Sequence, residues 1–320
     1  MIVTVTLNAA IDRTVTVPNF QLGQRHRASE WLMLAGGKGI NVARALKGLD
    51  VPVVATGLAG GRTGVRIGEE LQNEAILNDL VRIADESRTS TVVIDPMSNF
   101  VTEVYEWGPH VEPAELEILT EKVRYLARSA EAVVFAGTLP RNVDPGFYAE
   151  AIRDMSRRGV RSVLDSEGLP LRLGVEAEPY LVSVSQLEAE GLVGQEFHDD
   201  DDFVMALDAI CEIGARNVLI THGSGAFGLF REERRTRRFV AIGPQVDVQS
   251  AVGATDVFLA GFLASRLTDG REPDEALRLA VAAGTVSTLS VGAGRFDRRD
   301  LGGLLPAVEV QELAAVQSGG

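Results

Sequence analysis

Asp256 directly follows Gly253, Ala254 and Thr255 and opens the apolar run VFLAGFL over 257–263. Small residues leading into a helix leave the N–H groups of its first turn pointing outward, where they can hold an anion. A carboxylate at that point can take a proton from a hydroxyl while the N–H groups stabilise charge on a phosphoryl group. The same aspartate also suits a plain helix N-cap. On these residues alone both readings stand. A second stretch, AGGKGINVARALKGL over 35–49, places Gly36, Gly37 and Gly39 ahead of a helix whose apolar face is Ile40, Ala43, Leu46 and Leu49. Glycines there let a ligand approach the backbone closely. The spacing matches neither the P-loop nor the dinucleotide fingerprint. A tight helix-start turn with no ligand accounts for it equally well.

Both stretches must be held by a scaffold, and the rest of the chain supplies one. The runs 2–7, 51–57, 132–137, 160–165, 180–185 and 217–223 are short and rich in β-branched residues, as buried strands are. Helical patterns lie between several of them. Leu116, Leu119, Val123 and Leu126 recur at helical spacing in 111–130. In 144–158, Asp144 is expected as N-cap, with Pro145 at the first helical position and Gly159 after the end. In 199–213, Phe203, Leu207, Ile210 and Cys211 share a face, and the acidic run 199–202 is expected to cap the positive end. Alternating strands and helices predict an α/β, doubly wound, mostly parallel sheet flanked by helices. Segments 13–33 and 88–107 alternate instead like a half-exposed antiparallel sheet and carry both tryptophans. They are expected to form a small β-sheet lid or dimer face on a core made of 1–12, 34–87 and 108–320. The arginine-rich stretch 231–238 is expected to be a solvated hairpin.

The chain has 320 residues, 45% hydrophobic and 24% charged, an ordinary globular balance. Its net charge of −14 disfavours a sequence-independent nucleic-acid binder, although a pocket on an acidic protein can still be locally basic. No apolar run approaches a membrane span, and the N-terminus MIVTVTLNAA lacks a charged leader. One cysteine, Cys211, excludes an internal disulfide framework. These features point to the cytoplasm, with neither membrane nor nucleic acid as partner.

Taken together, the two glycine-containing stretches resemble the signatures of the PfkB carbohydrate kinase family, within the ribokinase-like superfamily. The supporting pieces are LNAAIDRTV at 7–15, TE at 102–103, GP at 108–109, GTLP at 137–140, LDSEG at 164–168 and LAVAAGTVST at 279–288. They run in family order from Met1 to about Arg295 and look most like the phosphosugar branch of 1-phosphofructokinase, tagatose-6-phosphate kinase and type-II 6-phosphofructokinase. The resemblance implies that Asp256 is the catalytic base and that Gly253, Ala254 and Thr255 form the anion-hole turn. It implies that Asp12, Gly37, Gly39 and Asn41 bind sugar hydroxyls. Ser183, Ser185, Thr221, Gly223 and Gly225 fall on the nucleotide side, with Ala283 and Gly284 near the adenine. Glu188 is the residue tied to Mg²⁺ and its waters. ATP, Mg²⁺ and, as a further candidate, a monovalent cation follow as cofactors, with a homodimer formed through the lid.

Arg25 and Arg27 are two residues apart, so strand geometry would put both on one face. Unaided, they read as exposed charges on an edge strand. With Arg88, which matches a phosphate-binding arginine of that branch, and Thr138 of GTLP, they are expected to grip a phosphate already on the sugar. The implied reaction moves the γ-phosphate of ATP to a primary hydroxyl of a ketohexose monophosphate: fructose 1-phosphate, fructose 6-phosphate or tagatose 6-phosphate. Three features depart from the family pattern. Thr255 replaces a glycine, Ser183 and Ser185 stand where the family has lysine and asparagine, and THGSGA at 221–226 is one residue short. All three lie on the nucleotide side. They raise two alternatives: a sugar-phosphate binder with weak or lost kinase activity, or a kinase of an unphosphorylated sugar or nucleoside.

Overall fold

The computed structural model describes residues 1–98, 100–232 and 235–314. The strands are β1 (Ile2–Thr6), β2 (Ala10–Thr16), β3 (Glu30–Gly36), β4 (Val53–Gly60), β5 (Asn78–Ile83), β6 (Arg88–Asp95) and β7 (Phe100–Tyr105). They continue as β8 (Ala132–Ala136), β9 (Arg161–Asp165), β10 (Leu181–Ser185), β11 (Asn217–His222), β12 (Gly225–Glu232), β13 (Arg235–Ile242) and β14 (Glu309–Leu313). The helices are α1 (Lys38–Gly48), α2 (Gly61–Asn73), α3 (Pro113–Ala127), α4 (Phe147–Arg157) and α5 (Gly168–Val175). After them come α6 (Gln186–Val193), α7 (Asp200–Ile213), α8 (Ala254–Leu263), α9 (Pro273–Ser287) and α10 (Arg298–Leu304).

Ten strands form the main sheet in the order β14-β13-β12-β11-β10-β9-β8-β1-β4-β5. From β11 to β5 every pair is parallel, and β12 to β14 add an antiparallel edge. β1 is buried on both faces, as a central parallel strand must be. Ile2 joins the core beneath α1, α8 and α9, while Val3 and Val5 join the one beneath α3, α4 and α7. The chain leaves β1 toward β4 on one side and later returns to β8 on the other. That reversal opens a crevice beyond the strand C-termini, where open α/β sheets bind ligands.

The small sheet is separate, with order β3-β2-β6-β7. It begins at Ala10 and its first segment ends at Gly36, wider than the 13–33 read from the sequence. The interior of that segment corrects another expectation, because residues 17–29 are not strand. Pro18 has no N–H to pair, and Asn19 sits at φ 55°. Asp95 then accepts the N–H groups of Asn19 and Phe20 at 2.9 and 3.1 Å, fixing the turn away from the ladder. β6 and β7 match the second segment.

At α7 the helix ends follow sequence chemistry. Asp199 caps α7 by accepting the Asp202 N–H at 3.1 Å, and Gly214 closes the helix. α4 differs, starting at Phe147 after Gly146 and not at Pro145. Asp144 instead accepts the Gly146 N–H at 2.7 Å in a turn ahead of the helix, where Val143 and Pro145 face the crevice. β12 and β13 form the arginine-rich hairpin, whose tip at 233–234 lies outside the described residues.

Candidate active site

The crevice is a cavity of about 830 Å³ walled by the C-terminal ends of β1 and β8, the starts of α1 and α8, and the small sheet. α8 enters it through Gly253, whose φ of 78° is left-handed. A Cβ there would lie 2.8 Å from Ala293 Cβ, so glycine is required. Thr255 is already in the helical turn and replaces no residue that needs positive φ. It lines the cavity with Gly253 and Asp256. Ala254 differs from its neighbours, since its N–H is taken by the Ala251 carbonyl at 3.1 Å. The N–H groups of Gly253, Thr255 and Asp256 find no acceptor among the described residues.

Asp256 is 3% exposed and does not cap its helix. Its Oδ2 accepts from Asn41 Nδ2 at 2.8 Å, while Oδ1 is buried with no partner among the described residues. A buried, unpaired carboxylate oxygen is costly unless a ligand satisfies it. Burial is the main reason its pKa is pushed up to about 7, helped by the Asp165 and Asp12 carboxylates and opposed by Lys38 and Asn41. A general base of that pKa is well matched to neutral pH.

The α1 turn is built to let side chains meet. A Cβ on Gly36 would fall 1.9 Å from Asp12 Oδ2, and one on Gly39 would fall 2.4 Å from Thr6 Oγ1. Gly37, the N-cap, sits at φ 106°. The missing Cβ of Gly36 lets Asp12, on β2, lie beside the start of α1, while those of Gly37 and Gly39 make room for Thr6 at the end of β1. Burial raises the Asp12 pKa, against the pull of Arg88, Ser90 and Arg44. Asn41 is clamped on its other side, since its Oδ1 accepts from Arg44 Nη1 at 3.0 Å. Arg44, itself 7% exposed, is anchored to Glu74 at 2.6 Å.

Lys38, which lines the cavity, is a candidate functional residue that the sequence reading passed over among the glycines. Its Nζ lies 2.6 Å from Asp165 Oδ1 and 3.2 Å from Glu188 Oε1, linking α1 to the end of β9 and the first turn of α6. Burial alone would lower the ammonium's pKa, but Asp165, Glu188 and Asp256 together hold it above its ordinary value. Burial raises Asp165, countered by Lys38. The signal was present in sequence as a lysine inside a glycine turn and an aspartate in LDSEG. Neither showed that β9 would deliver the carboxylate to the lysine.

Arg88 and Thr138 also reach the cavity. Asn8 joins them, donating to Thr138 Oγ1 at 2.9 Å while its carbonyl accepts from Arg88 Nε at 3.2 Å. Arg25 and Arg27 do not line this cavity, being exposed in the 17–29 loop. Because that loop is not strand, their spacing of two fixes no common face.

The residues expected on the nucleotide side lie elsewhere. Thr221, Gly223 and Gly225 belong to the β11–β12 hairpin, where His222 pairs with Gly225 across a two-residue turn and Gly223 takes φ 51°. A Cβ on Gly243 would lie 2.6 Å from Ser224 O and 2.8 Å from Thr285 Oγ1, so the hairpin, Gly243 and α9 converge. Ala283 is fully buried, and Gly284 packs against Phe258 of α8. Both space the two helices and present no surface to the described cavity. Ser183 is buried in β10. Ser185 caps α6, and Glu188 Oε2 returns to the Ser185 N–H at 2.7 Å. Glu188 is therefore half a capping box, with its other oxygen on Lys38. Among the described residues no three His, Cys, Asp or Glu side chains cage a metal.

The family model described as pfkB family carbohydrate kinase matches residues 3–298. The chain belongs to that family. A 1-phosphofructokinase of Borreliella burgdorferi is 30% identical over 98% of this chain and 99% of its own. A tagatose-6-phosphate kinase of Staphylococcus epidermidis is 27% identical over 98% and 100%. Among solved structures, phosphofructokinase-2 of Escherichia coli in complex with fructose-6-phosphate is similar at TM-score 0.85, with 27% identity over 96% of this chain and 98% of that one. The same enzyme has been solved with potassium, at TM-score 0.86. Arabidopsis thaliana ribokinase shares the fold, at TM-score 0.71 and 21% identity over 95% of this chain and 98% of its own. The chain is thus a phosphotransferase acting on an alcohol group, on a ribokinase-like fold. No helix among the described residues is long and apolar enough to cross a membrane.

Proposed function

We propose that this kinase phosphorylates a primary hydroxyl of a ketohexose monophosphate, with ATP as donor and Asp256 as general base. The observation that carries the reading is the unpartnered Asp256 Oδ1, buried at the head of α8 and facing a cavity that also holds Arg88. An accepting hydroxyl would give its proton to Oδ1, while Asn41 steadies Oδ2. The free N–H groups of Gly253, Thr255 and Asp256 would stabilise charge on the group in transfer. Lys38 supplies a cation at the same point. It answers the absence of a lysine at Ser183, because a charge delivered from α1 serves phosphate oxygens as one from β10 would.

Asp165 and Glu188, which share Lys38, suit a Mg²⁺ held by one or two carboxylates together with substrate phosphates. Glu188, already bonded to Ser185 and Lys38, would act through water. When bound, the ion neutralises phosphate charge. The potassium complex of the Escherichia coli enzyme supports a monovalent cation here as well.

The small sheet would cover the sugar and pair with a second copy. By register, Trp31, Phe100 and Val104 share the face opposite Asp12, Ser90 and Tyr105, and they are 66, 71 and 57% exposed. An exposed apolar face of that kind suits a partner sheet. The test of function is Mg·ATP-dependent ADP release with fructose 1-phosphate, fructose 6-phosphate, tagatose 6-phosphate and fructose. Turnover is expected on a phosphosugar and not on fructose. Equal turnover on fructose overturns the phosphosugar reading.

A further inference from the structure

Beyond Arg88, the sugar cavity contains a second arginine that no motif singled out. Arg141 follows Thr138-Leu139-Pro140 in the loop after β8 and lines the same wall. Its Cζ lies 3.6 Å from the ring centroid of Trp107, where the chain leaves the small sheet for the core. The two residues meet across the mouth of the cavity, one from each part of the molecule. Trp107 is 75% exposed, so the stack is not a core contact.

A guanidinium stacked on an aromatic face keeps its N–H donors in the plane, directed outward from its edge. Among the described residues no carboxylate lies within ion-pairing distance of Arg141. Arg88 differs, since the charges of Asp12, Glu106 and Glu167 all bear on it. A phosphate resting on Arg88 alone would face those three carboxylates, and a second cation is needed to make the wall attractive to a dianion. Lys38 also lines the cavity but is held by Asp165 and Glu188, which leaves Arg141 for that role; the hydrogen-bonded series Arg88, Asn8 and Thr138 leads to its loop.

We infer that Arg141, held flat by Trp107, is a specificity-determining ligand for the phosphate group that the sugar already carries. The inference rests on the phosphosugar reading above and adds a residue to it. Binding there ties the small sheet to the core, because the stack spans both.

Steady-state kinetics of R141M test it, together with fluorescence in a W31F background, where Trp107 is the sole tryptophan. R141M is expected to raise the KM for the accepted sugar phosphate by about tenfold to a hundredfold, the loss of a charge-assisted contact. The KM for ATP should stay unchanged. R141K should recover part of the loss, and W107F more than W107A, since an aromatic face is what holds the guanidinium. Without ATP, fructose 1-phosphate or fructose 6-phosphate should change Trp107 emission saturably, and R141M should abolish the change at the same concentrations. An active wild type with an unaltered sugar-phosphate KM in R141M overturns the role of Arg141 alone. A wild type inactive on every sugar phosphate, with no emission change, overturns the substrate reading and this assignment with it.

Discussion

The two sides of the Gly253–Asp256 turn are built differently. On the side proposed for the sugar, polar side chains from separate strands converge on open space: Asp12 from β2, Arg88 from β6 and Thr138 after β8. On the side proposed for the nucleotide, the predicted residues are a hairpin turn and the packed faces of two helices, with Ala283 fully buried. Side-chain recognition depends on residue type, so a changed letter there changes chemistry. Recognition by backbone and by small residues depends on shape, which other residues can supply. This explains how Thr255 and the short hairpin fit without disturbing the turn: left-handed φ is needed at Gly253 and Gly223, and both are glycine.

The sharpest way to break this comparison is at the residue both sides share. D256N should lower turnover by about 10²- to 10⁴-fold while leaving sugar-phosphate binding, read by calorimetry, within a few-fold. Unchanged turnover would remove Asp256 from the chemistry. K38M comes next, because its ammonium lies with Asp165 and Glu188 between the two sides. A fall in kcat of about a hundredfold or more is expected. A change confined to the KM for the sugar would place Lys38 on that side alone.

Arg88 tests the sugar side by itself. R88M should raise the KM for the sugar phosphate by about tenfold or more with little change for ATP. Equal shifts would erase the distinction between the two sides.

The pH profile has a defined sign. Burial raises the Asp256 pKa to about 7, so the base is protonated and inactive below that value. The value of kcat/KM should therefore fall about tenfold per unit as pH drops below about 7, and D256N should lack that limb in its residual rate. A flat profile down to pH 5 would contradict the assignment. The smallest effect belongs to T255G. Since no positive φ is needed at Thr255, activity should change by less than about threefold and stability should drop by only about 0.3 kcal/mol from helix propensity, threonine being itself a poor helix former, measured by denaturant unfolding.

Much of this was legible in sequence. The alternation of β-branched runs and amphipathic segments gave the parallel sheet, because a strand buried on both faces has to be apolar throughout. Gly37 and Gly253 line the cavity as the sequence suggested, whereas the space beside Gly36 and Gly39 is taken by Asp12 and Thr6 and not left for a ligand; Asp256 stood at the right helix start. Asp144 and the 17–29 segment misled, for different reasons. A capping residue two positions early satisfies a turn as well as a helix, and alternation cannot show that Pro18 and Asn19 end the strand.

What the sequence determined by itself was local: element type, helix starts, and the residue types able to bind phosphate or take a proton. Tertiary structure decided which of them meet. Lys38 lies 127 positions from Asp165, and Asn41 lies 215 from Asp256. Arg25 and Arg27, by contrast, share the chemistry of Arg88 but not its cavity. Ionisation was also a tertiary result, since an aspartate has a pKa near 7 only after folding removes its water and leaves one oxygen without a donor.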